Sequence, residues 1–132
     1  MLVVRLLLVL GAMMTVCAGG CATTPARPPR PAVISHIVFF KLNDPADADA
    51  LIAACDARIA PIPGITAYAC GRHVDTGRAT VASDYDVGCV IGFDSTASYA
   101  RYVEHPEHVA VVSAWRPRLT WLKVYDVLDP TP

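Results

Sequence analysis

Prolines and glycines divide residues 34–128 into short segments, and their positions constrain the fold more than any other feature of the chain. Residues 34–42 are almost all apolar and rich in β-branched and aromatic side chains, which predicts a strand covered on both faces. Pro45 breaks this run. Residues 46–60 then carry apolar side chains at helical spacing, with acidic residues early, and predict a helix. Two prolines and a glycine at 61–64 end it.

The remaining segments predict a hairpin, an interrupted helix and a last strand. They are expected at 65–74 and 85–93 (strands), 95–102 and 106–115 (helices) and 121–128 (strand). The order β-α-β-β-α-β is typical of the α+β ferredoxin-like fold, whose four-stranded antiparallel sheet has the strand order 4-1-3-2. Cys70 and Cys89 then lie nearly opposite each other in the hairpin. Gly88 and Gly92 share one face of their strand, where another element must approach closely.

Three cysteines belong to the expected domain. Cys55 shares a helix face with Leu51 and is expected in the core. Cys70 and Cys89 can form a cross-strand disulfide in an oxidising compartment, but such bridges have demanding geometry, and two buried thiols are the expectation. The sequence alone does not decide between the two states.

Residues 1–20 have the pattern of a secretory signal, with Arg5 near the start, a short apolar stretch and small residues before Cys21. The stretch is too short to cross a membrane comfortably. Residues 18–21 resemble the lipobox of bacterial lipoproteins, which implies that Cys21 is lipidated and becomes the first residue of the mature protein. Cys17 is the weaker candidate because Val16 before it is bulky. An ordinary cleaved signal and an uncleaved anchor remain open.

Residues 21–33 are rich in proline and predict an extended, semi-rigid tether ahead of a domain at residues 34–129. The expected location is therefore the cell envelope, with the domain held outside the cytoplasm by a membrane lipid. The whole chain has 11 Lys and Arg against 12 Asp and Glu, a balance that offers no basic surface for nucleic acid. Two arginines in the tether are too few to attract a membrane by charge.

Two of the four histidines lie with a tyrosine within residues 102–108, and a third, His36, lies in the first strand. Histidine is the side chain whose charge changes near neutral pH. If the fold brings His36 to residues 102–108, the result is a small acid-base pocket. Otherwise these histidines are surface and capping residues.

The order and spacing of several motifs resemble the stress-responsive dimeric α/β-barrel (Dabb) family over residues 34–128. The motifs are residues 36–42, 62–65, 93–95 and 102–108, of which the last is the most specific. The resemblance implies a homodimer in which two four-stranded sheets pack face to face into a barrel. It also implies a cavity between the sheet and helices of each subunit, suited to a small apolar or carbonyl ligand.

A plant cyclase of the same family closes a polyketide by aldol condensation, and the resemblance implies matching site residues in this chain. His108 would be the general base, Tyr102 the hydrogen-bond donor to a carbonyl or enolate oxygen, and His36 a residue that positions or polarises the substrate. In the structural alternative, His108 bonds a strand across the cavity and His36 is a core histidine. His105 is expected to cap the helix after it, and His73 to be exposed.

No cofactor and no metal are expected. His105 and His108, with a glutamate beside each, could supply metal ligands, but no distant third ligand is evident. The chain also has no Cys-x-x-Cys spacing.

Three functions follow from these features. A lipid-anchored homodimer that binds a small apolar ligand is the expected one, because nothing in the sequence identifies a substrate outside the cytoplasm. A proton-transfer enzyme of the cyclase or lyase type is the second, and a structural dimer with no open pocket is the third. Aromatic residues late in the chain, Trp115, Trp121 and Tyr125, are expected in the dimer core together with Phe39.

Overall fold

Four strands, three α-helices and two short 3-10 turns make up residues 30–130, the part of the chain that the computed structural model describes. They run in the order β1 (Ile34–Leu42), α1 (Ala48–Arg58), β2 (Ile65–Arg72), β3 (Val87–Phe93), α2 (Thr96–Glu104), α3 (Pro106–Trp115) and β4 (Leu119–Leu128). The predicted β-α-β-β-α-β order is confirmed, with the second helix divided at Pro106. The predicted leader, the lipidation site Cys21 and most of the tether lie outside the described residues.

The strands form one antiparallel sheet in the order β2-β3-β1-β4, which is the order predicted for a ferredoxin-like fold. β1 is central and pairs with both β3 and β4. The helices pack on one face of this sheet, so β1 carries the residues that reach deepest into the space between sheet and helices.

Within the described residues of one chain, the helices cover one face of β1, so the second of the two predicted covers would have to come from elsewhere. Ile34, Val38 and Leu42 are buried beneath the helices, whereas Ile37 and Phe39 on the opposite face are partly exposed. We call this opposite side of the sheet the open face. Apolar residues on both sides of a strand indicate two covers, and in this chain the helices supply only one of them.

The open face is largely apolar beyond β1. Val90 and Tyr125 flank Ile37 in the pairing, and Val127 is the partner of Ser35. The exposed fractions of Val90, Tyr125 and Val127 are 42%, 53% and 51%. A contiguous exposed apolar surface of this kind marks an interaction site in soluble proteins.

Phe93, at the end of β3, is the largest fully buried side chain of the core. Its ring centroid lies 5.4 Å from that of Tyr99 and 5.0 Å from that of Tyr102, both on α2. Leu51 and Cys55 complete this core from α1, as predicted for Cys55. The aromatic contacts therefore fix α2, and the tyrosines it carries, against the sheet.

Close approach explains the glycines of β3, as predicted. A Cβ atom on Gly92 would lie 2.7 Å from the Ala32 Cβ atom and 3.0 Å from that of Ala67. A Cβ atom on Gly88 would lie 3.3 Å from the ring of Phe39. Side chains at these two positions would displace the segment before β1 and the aromatic packing of the open face.

Cys70 and Cys89 are direct partners in the β2–β3 hairpin and are joined by a disulfide. The predicted register is confirmed, and the expectation of two free thiols is wrong for this structure. Their Cα atoms are 4.2 Å apart, because directly opposed residues on one face of a hairpin are close neighbours. Cys55 is the buried free thiol among the described residues.

Candidate functional site

A cavity of about 620 Å3 lies between the covered face of the sheet and the helices. Most of its lining is apolar, with side chains from all three helices and from β1, β3 and β4. His36, Tyr102 and His108, the three site residues predicted from the sequence, all line it. The fold thus brings together residues that are 72 positions apart in the chain.

Two N-terminal caps place the helices that carry these residues. The Ser95 hydroxyl accepts a hydrogen bond from the backbone N–H of Ser98 at the start of α2. His105 caps α3 by accepting from the Glu107 backbone N–H at 3.3 Å, and Pro106 occupies the first helical position. The predicted capping role of His105 is confirmed.

His108 lies in the first turn of α3 and is oriented by a hydrogen bond to the backbone. Its Nδ1 atom is 2.9 Å from the carbonyl oxygen of Val103 on α2, and since a carbonyl only accepts, Nδ1 must carry the proton. The other ring nitrogen, Nε2, is then the acceptor. The expected bond from His108 to a strand is therefore replaced by one to a neighbouring helix. The ring centroid of Tyr102 lies 4.4 Å from that of His108.

His36 also lies beside Tyr102 and is held by a carboxylate. Its Nδ1 atom is 2.7 Å from a carboxylate oxygen of Asp126, and the ring centroids of His36 and Tyr102 are 5.8 Å apart. The Tyr99 hydroxyl donates to the other Asp126 oxygen at 3.0 Å. Asp126 therefore fixes the orientation of the His36 ring, with Nδ1 as the hydrogen-bond donor.

Sequence reasoning missed Asp126 and Tyr99. Asp126 is the direct partner of His36 in the β1–β4 pairing. The predicted strand order places β4 beside β1, so counting the register from that order could have identified the carboxylate. Tyr99 lies one helical turn before Tyr102, on the same side of α2, and this spacing was the available signal.

The comparisons with known proteins agree with this architecture. The model of the Stress responsive A/B Barrel Domain family (Dabb) matches residues 34–129. The chain belongs to this family. An uncharacterized protein of Streptomyces coelicolor is 30% identical over 95 residues, which cover 68% of this chain and 94% of that protein.

Two solved structures are similar to this domain. A dimeric ferredoxin-like protein of unknown function from Thermobifida fusca is 27% identical, with a TM-score of 0.62, and the match covers 73% of this chain and 90% of that one. The hydroxynitrile lyase of Passiflora edulis is 17% identical, with a TM-score of 0.64 and coverage of 78% and 99%. Because the lyase is only 17% identical, its similarity to this chain shows a common fold alone.

Burial sets the protonation states in the Dabb cavity. It raises the pKa of the Tyr102 hydroxyl, which stays a hydrogen-bond donor at neutral pH. Burial also raises the pKa of Tyr99 to about 12, with the Asp126 carboxylate acting in the same direction. Burial lowers the pKa of His108, the hydrogen bond to Val103 opposes this effect, and the electrostatic interactions with His36 and His105 add to it. His108 is therefore a neutral imidazole at pH 7.

The lowered pKa of His108 makes stability depend on pH. Since the unfolded chain takes up a proton near pH 6.5 that the folded state resists, stability is full above this value and declines as the pH falls below it. When the pH is lowered from 7.5 to 6.0, the free energy of unfolding should decrease less in His108→Gln than in the wild type. Urea denaturation measures this decrease. Val109→Ala, on the same helix, should keep the wild-type loss. An equal loss in wild type and His108→Gln would contradict a lowered pKa.

The structure also shows where the remaining histidine and the late aromatic residues lie. His73 is half-buried against the ring of Tyr85, at 5.2 Å between centroids, which corrects its expected exposure. Trp115 and Trp121 line the cavity, so the expectation that Trp115 belongs to a dimer core is wrong: it is buried on α3. Tyr125 lies on the open face, as its predicted role requires.

Among residues 30–130, two further findings bear on ligands and membranes. The only close group of three metal-ligand side chains is formed by Cys55, Cys70 and Cys89, two of which are bonded to each other. No helix in this part of the chain is long and apolar enough to cross a membrane.

Proposed function

We propose that this Dabb domain binds a small, mainly apolar molecule with one carbonyl or hydroxyl group in the cavity between its sheet and helices. The observation that carries the proposal is the cavity of about 620 Å3 with His36, Tyr102 and His108 on one wall. Small-molecule sites have volumes of about 300–1,000 Å3 and combine an apolar lining with a few convergent polar groups. The same volume argues against a purely structural dimer with a filled interior.

The polar wall favours a ligand oxygen. Tyr102 offers a hydroxyl proton, while Nε2 of the neutral His108 ring is an acceptor, because its Nδ1 proton is already donated to Val103. A carbonyl oxygen can accept from Tyr102, and a hydroxyl or an acidic C–H next to the carbonyl can face an imidazole. The apolar remainder of the lining would bury the carbon skeleton.

Intrinsic fluorescence can test binding directly, because both tryptophans of the chain, Trp115 and Trp121, line the cavity. Titration with a panel of medium-sized aliphatic and aromatic aldehydes, ketones and phenols should give a saturable change for at least one class. Tyr102→Phe should weaken that binding about tenfold by removing the donor. Tyr125→Phe removes a hydroxyl from the open face and should bind as the wild type does. No saturable change across the panel would contradict the proposal.

A proton-transfer enzyme is the second candidate, favoured by the neutral His108 imidazole, whose unprotonated Nε2 lies on a ring beside the tyrosine donor Tyr102. His108 would remove a proton next to a carbonyl, and Tyr102 would stabilise the enolate oxygen. The hydroxynitrile lyase has the same fold, so the fold is compatible with such chemistry, but the likeness supports nothing beyond that. Ligands found by fluorescence should then exchange this proton in D2O, followed by NMR. His108→Ala should abolish exchange while retaining most of the binding.

Assembly as a homodimer through the open face is part of the proposal. The exposed apolar side chains of Val90, Tyr125 and Val127 need a cover that residues 30–130 of one chain do not supply. The Thermobifida relative is described as dimeric, and a second copy of the same sheet offers a complementary apolar surface.

Anchoring to the cell envelope through Cys21 is the remaining part, and the lipobox-like residues 18–21 with the proline-rich tether support it. Expressed in a bacterial host, the wild type should incorporate labelled palmitate and sediment with membranes. Cys21→Ala should lose the label and appear in the soluble envelope fraction. Cys17→Ala is the matched control and should behave as the wild type does. Labelling that survives Cys21→Ala would contradict this site of lipidation.

A further inference from the structure

The three cysteines of the domain meet beneath the cavity. Their Sγ atoms all lie within 4.8 Å of one another, although each comes from a different element: Cys55 from α1, Cys70 from β2 and Cys89 from β3. Cys70 and Cys89 form the disulfide, and Cys55 is the free thiol. A free thiol therefore lies close to both sulfurs of an existing disulfide.

We infer that these residues form an intramolecular thiol–disulfide exchange site in which Cys55 competes for the bond between Cys70 and Cys89. When the Cys55 sulfur attacks Cys89, the Cys55–Cys89 bond forms and the Cys70–Cys89 bond breaks. Cys70 leaves as a thiolate and takes up the proton that Cys55 released. Attack on Cys70 releases Cys89 in the same way. One disulfide and one thiol are present before and after, so no oxidant or reductant is consumed.

The exchange changes both the cavity wall and the position of the free thiol. Cys55 and Cys89 line the cavity, with exposed fractions of 3% and 2%, while Cys70 is partly exposed. The Cys70–Cys89 bond joins two neighbouring strands. A Cys55–Cys89 bond would instead join helix α1 to the sheet beside the cavity and leave the thiol at the more accessible Cys70. The exchange thus couples the shape of the cavity to the accessibility of the free thiol, whichever ligand the cavity holds.

The surroundings of Cys55 determine the rate. Burial raises the pKa of its thiol to about 11, and the neighbouring Asp56 carboxylate adds to this effect. The side chains of Tyr68 and Tyr102, from β2 and α2, also interact with this thiol and bring no positive charge. Because the thiolate is the attacking species, exchange should be slow at neutral pH. Its rate should rise about tenfold per pH unit between pH 7 and 9.

Peptide mapping of the full chain tests the inference. The protein is held without reductant at pH 7, 8 and 9, quenched with acid, alkylated with N-ethylmaleimide and digested with trypsin. Cleavage after Lys41, Arg58, Arg72 and Arg78 places the three cysteines in three separate peptides. We expect peptides linked through Cys55, accumulating about tenfold faster per pH unit. If Cys70–Cys89 is the only disulfide among these three cysteines after prolonged incubation at pH 9, and Cys55 is fully alkylated, the inference is overturned.

Two variants keep the test decisive. Cys55→Ser should hold the Cys70–Cys89 pair alone at every pH, which excludes rearrangement during digestion. Cys70→Ser, exposed to oxidised glutathione, should form a Cys55–Cys89 bond, so that neither Cys55 nor Cys89 is alkylated. Far-UV circular dichroism checks that each variant is folded. A folded Cys70→Ser protein in which Cys55 and Cys89 both stay alkylated would show that their sulfurs cannot meet, and would also overturn the inference.

Discussion

Phe93→Ala is expected to lower the free energy of unfolding by about 3–5 kcal/mol, the usual cost of truncating a buried aromatic side chain. Phe93 is fully buried and contacts the rings of Tyr99 and Tyr102, so its loss leaves a space that the sheet and α2 cannot close. The total stability of a domain is only about 5–15 kcal/mol. The substitution therefore removes a large share of the total stability, and Tyr99 and Tyr102 lose the ring against which they pack.

Urea denaturation followed by circular dichroism measures this effect. Val74→Ala is the control, because Val74 lies in a loop with 66% of its surface exposed and should change stability by no more than about 0.5 kcal/mol. Similar midpoints for Phe93→Ala and Val74→Ala would contradict the assignment of Phe93 to the centre of the core.

Val90→Glu is expected to raise the dissociation constant of the dimer at least about 100-fold. Val90 lies on the open face, and a dimer that packs sheet against sheet would bury the new carboxylate without a partner in both copies. An unpaired buried charge costs several kcal/mol, and each 1.4 kcal/mol changes an equilibrium tenfold. The prediction depends on the proposed homodimer, and the exposed apolar residues of this face motivate it.

Sedimentation velocity over a range of concentrations measures the dissociation constant. Val74→Glu adds the same charge to an exposed loop position and should leave the dimer intact. A monomeric wild type, or a Val90→Glu dimer as tight as the wild type, would show that the open face has another use.

The sequence was enough to predict the order of elements and the arrangement of the sheet. Breaks at Pro45 and at 61–64, together with two strand-like runs around the hairpin, specify the ferredoxin-like plan. That plan then places Cys70 opposite Cys89 with no further information. Such features are local, or they follow from a topology with few alternatives.

Features that depend on three-dimensional packing could not be predicted in this way. The run at 34–42 indicates two covers, but it cannot distinguish a helix layer from a second protein. His36 obtains its carboxylate partner, Asp126, from a residue 90 positions away, and only the β1–β4 register brings them together. Tryptophan is frequent in interfaces, yet Trp115 is buried and lines the cavity.

Native mass spectrometry of the full chain, extracted in mild detergent from its own host, tests whether the cavity holds a small molecule. We expect a dimer that carries an additional small-molecule mass, which Tyr102→Phe reduces and the open-face variant Tyr125→Phe retains. A wild-type protein that carries no added mass, and whose tryptophan fluorescence responds to no member of the carbonyl and phenol panel, would contradict the proposed binding.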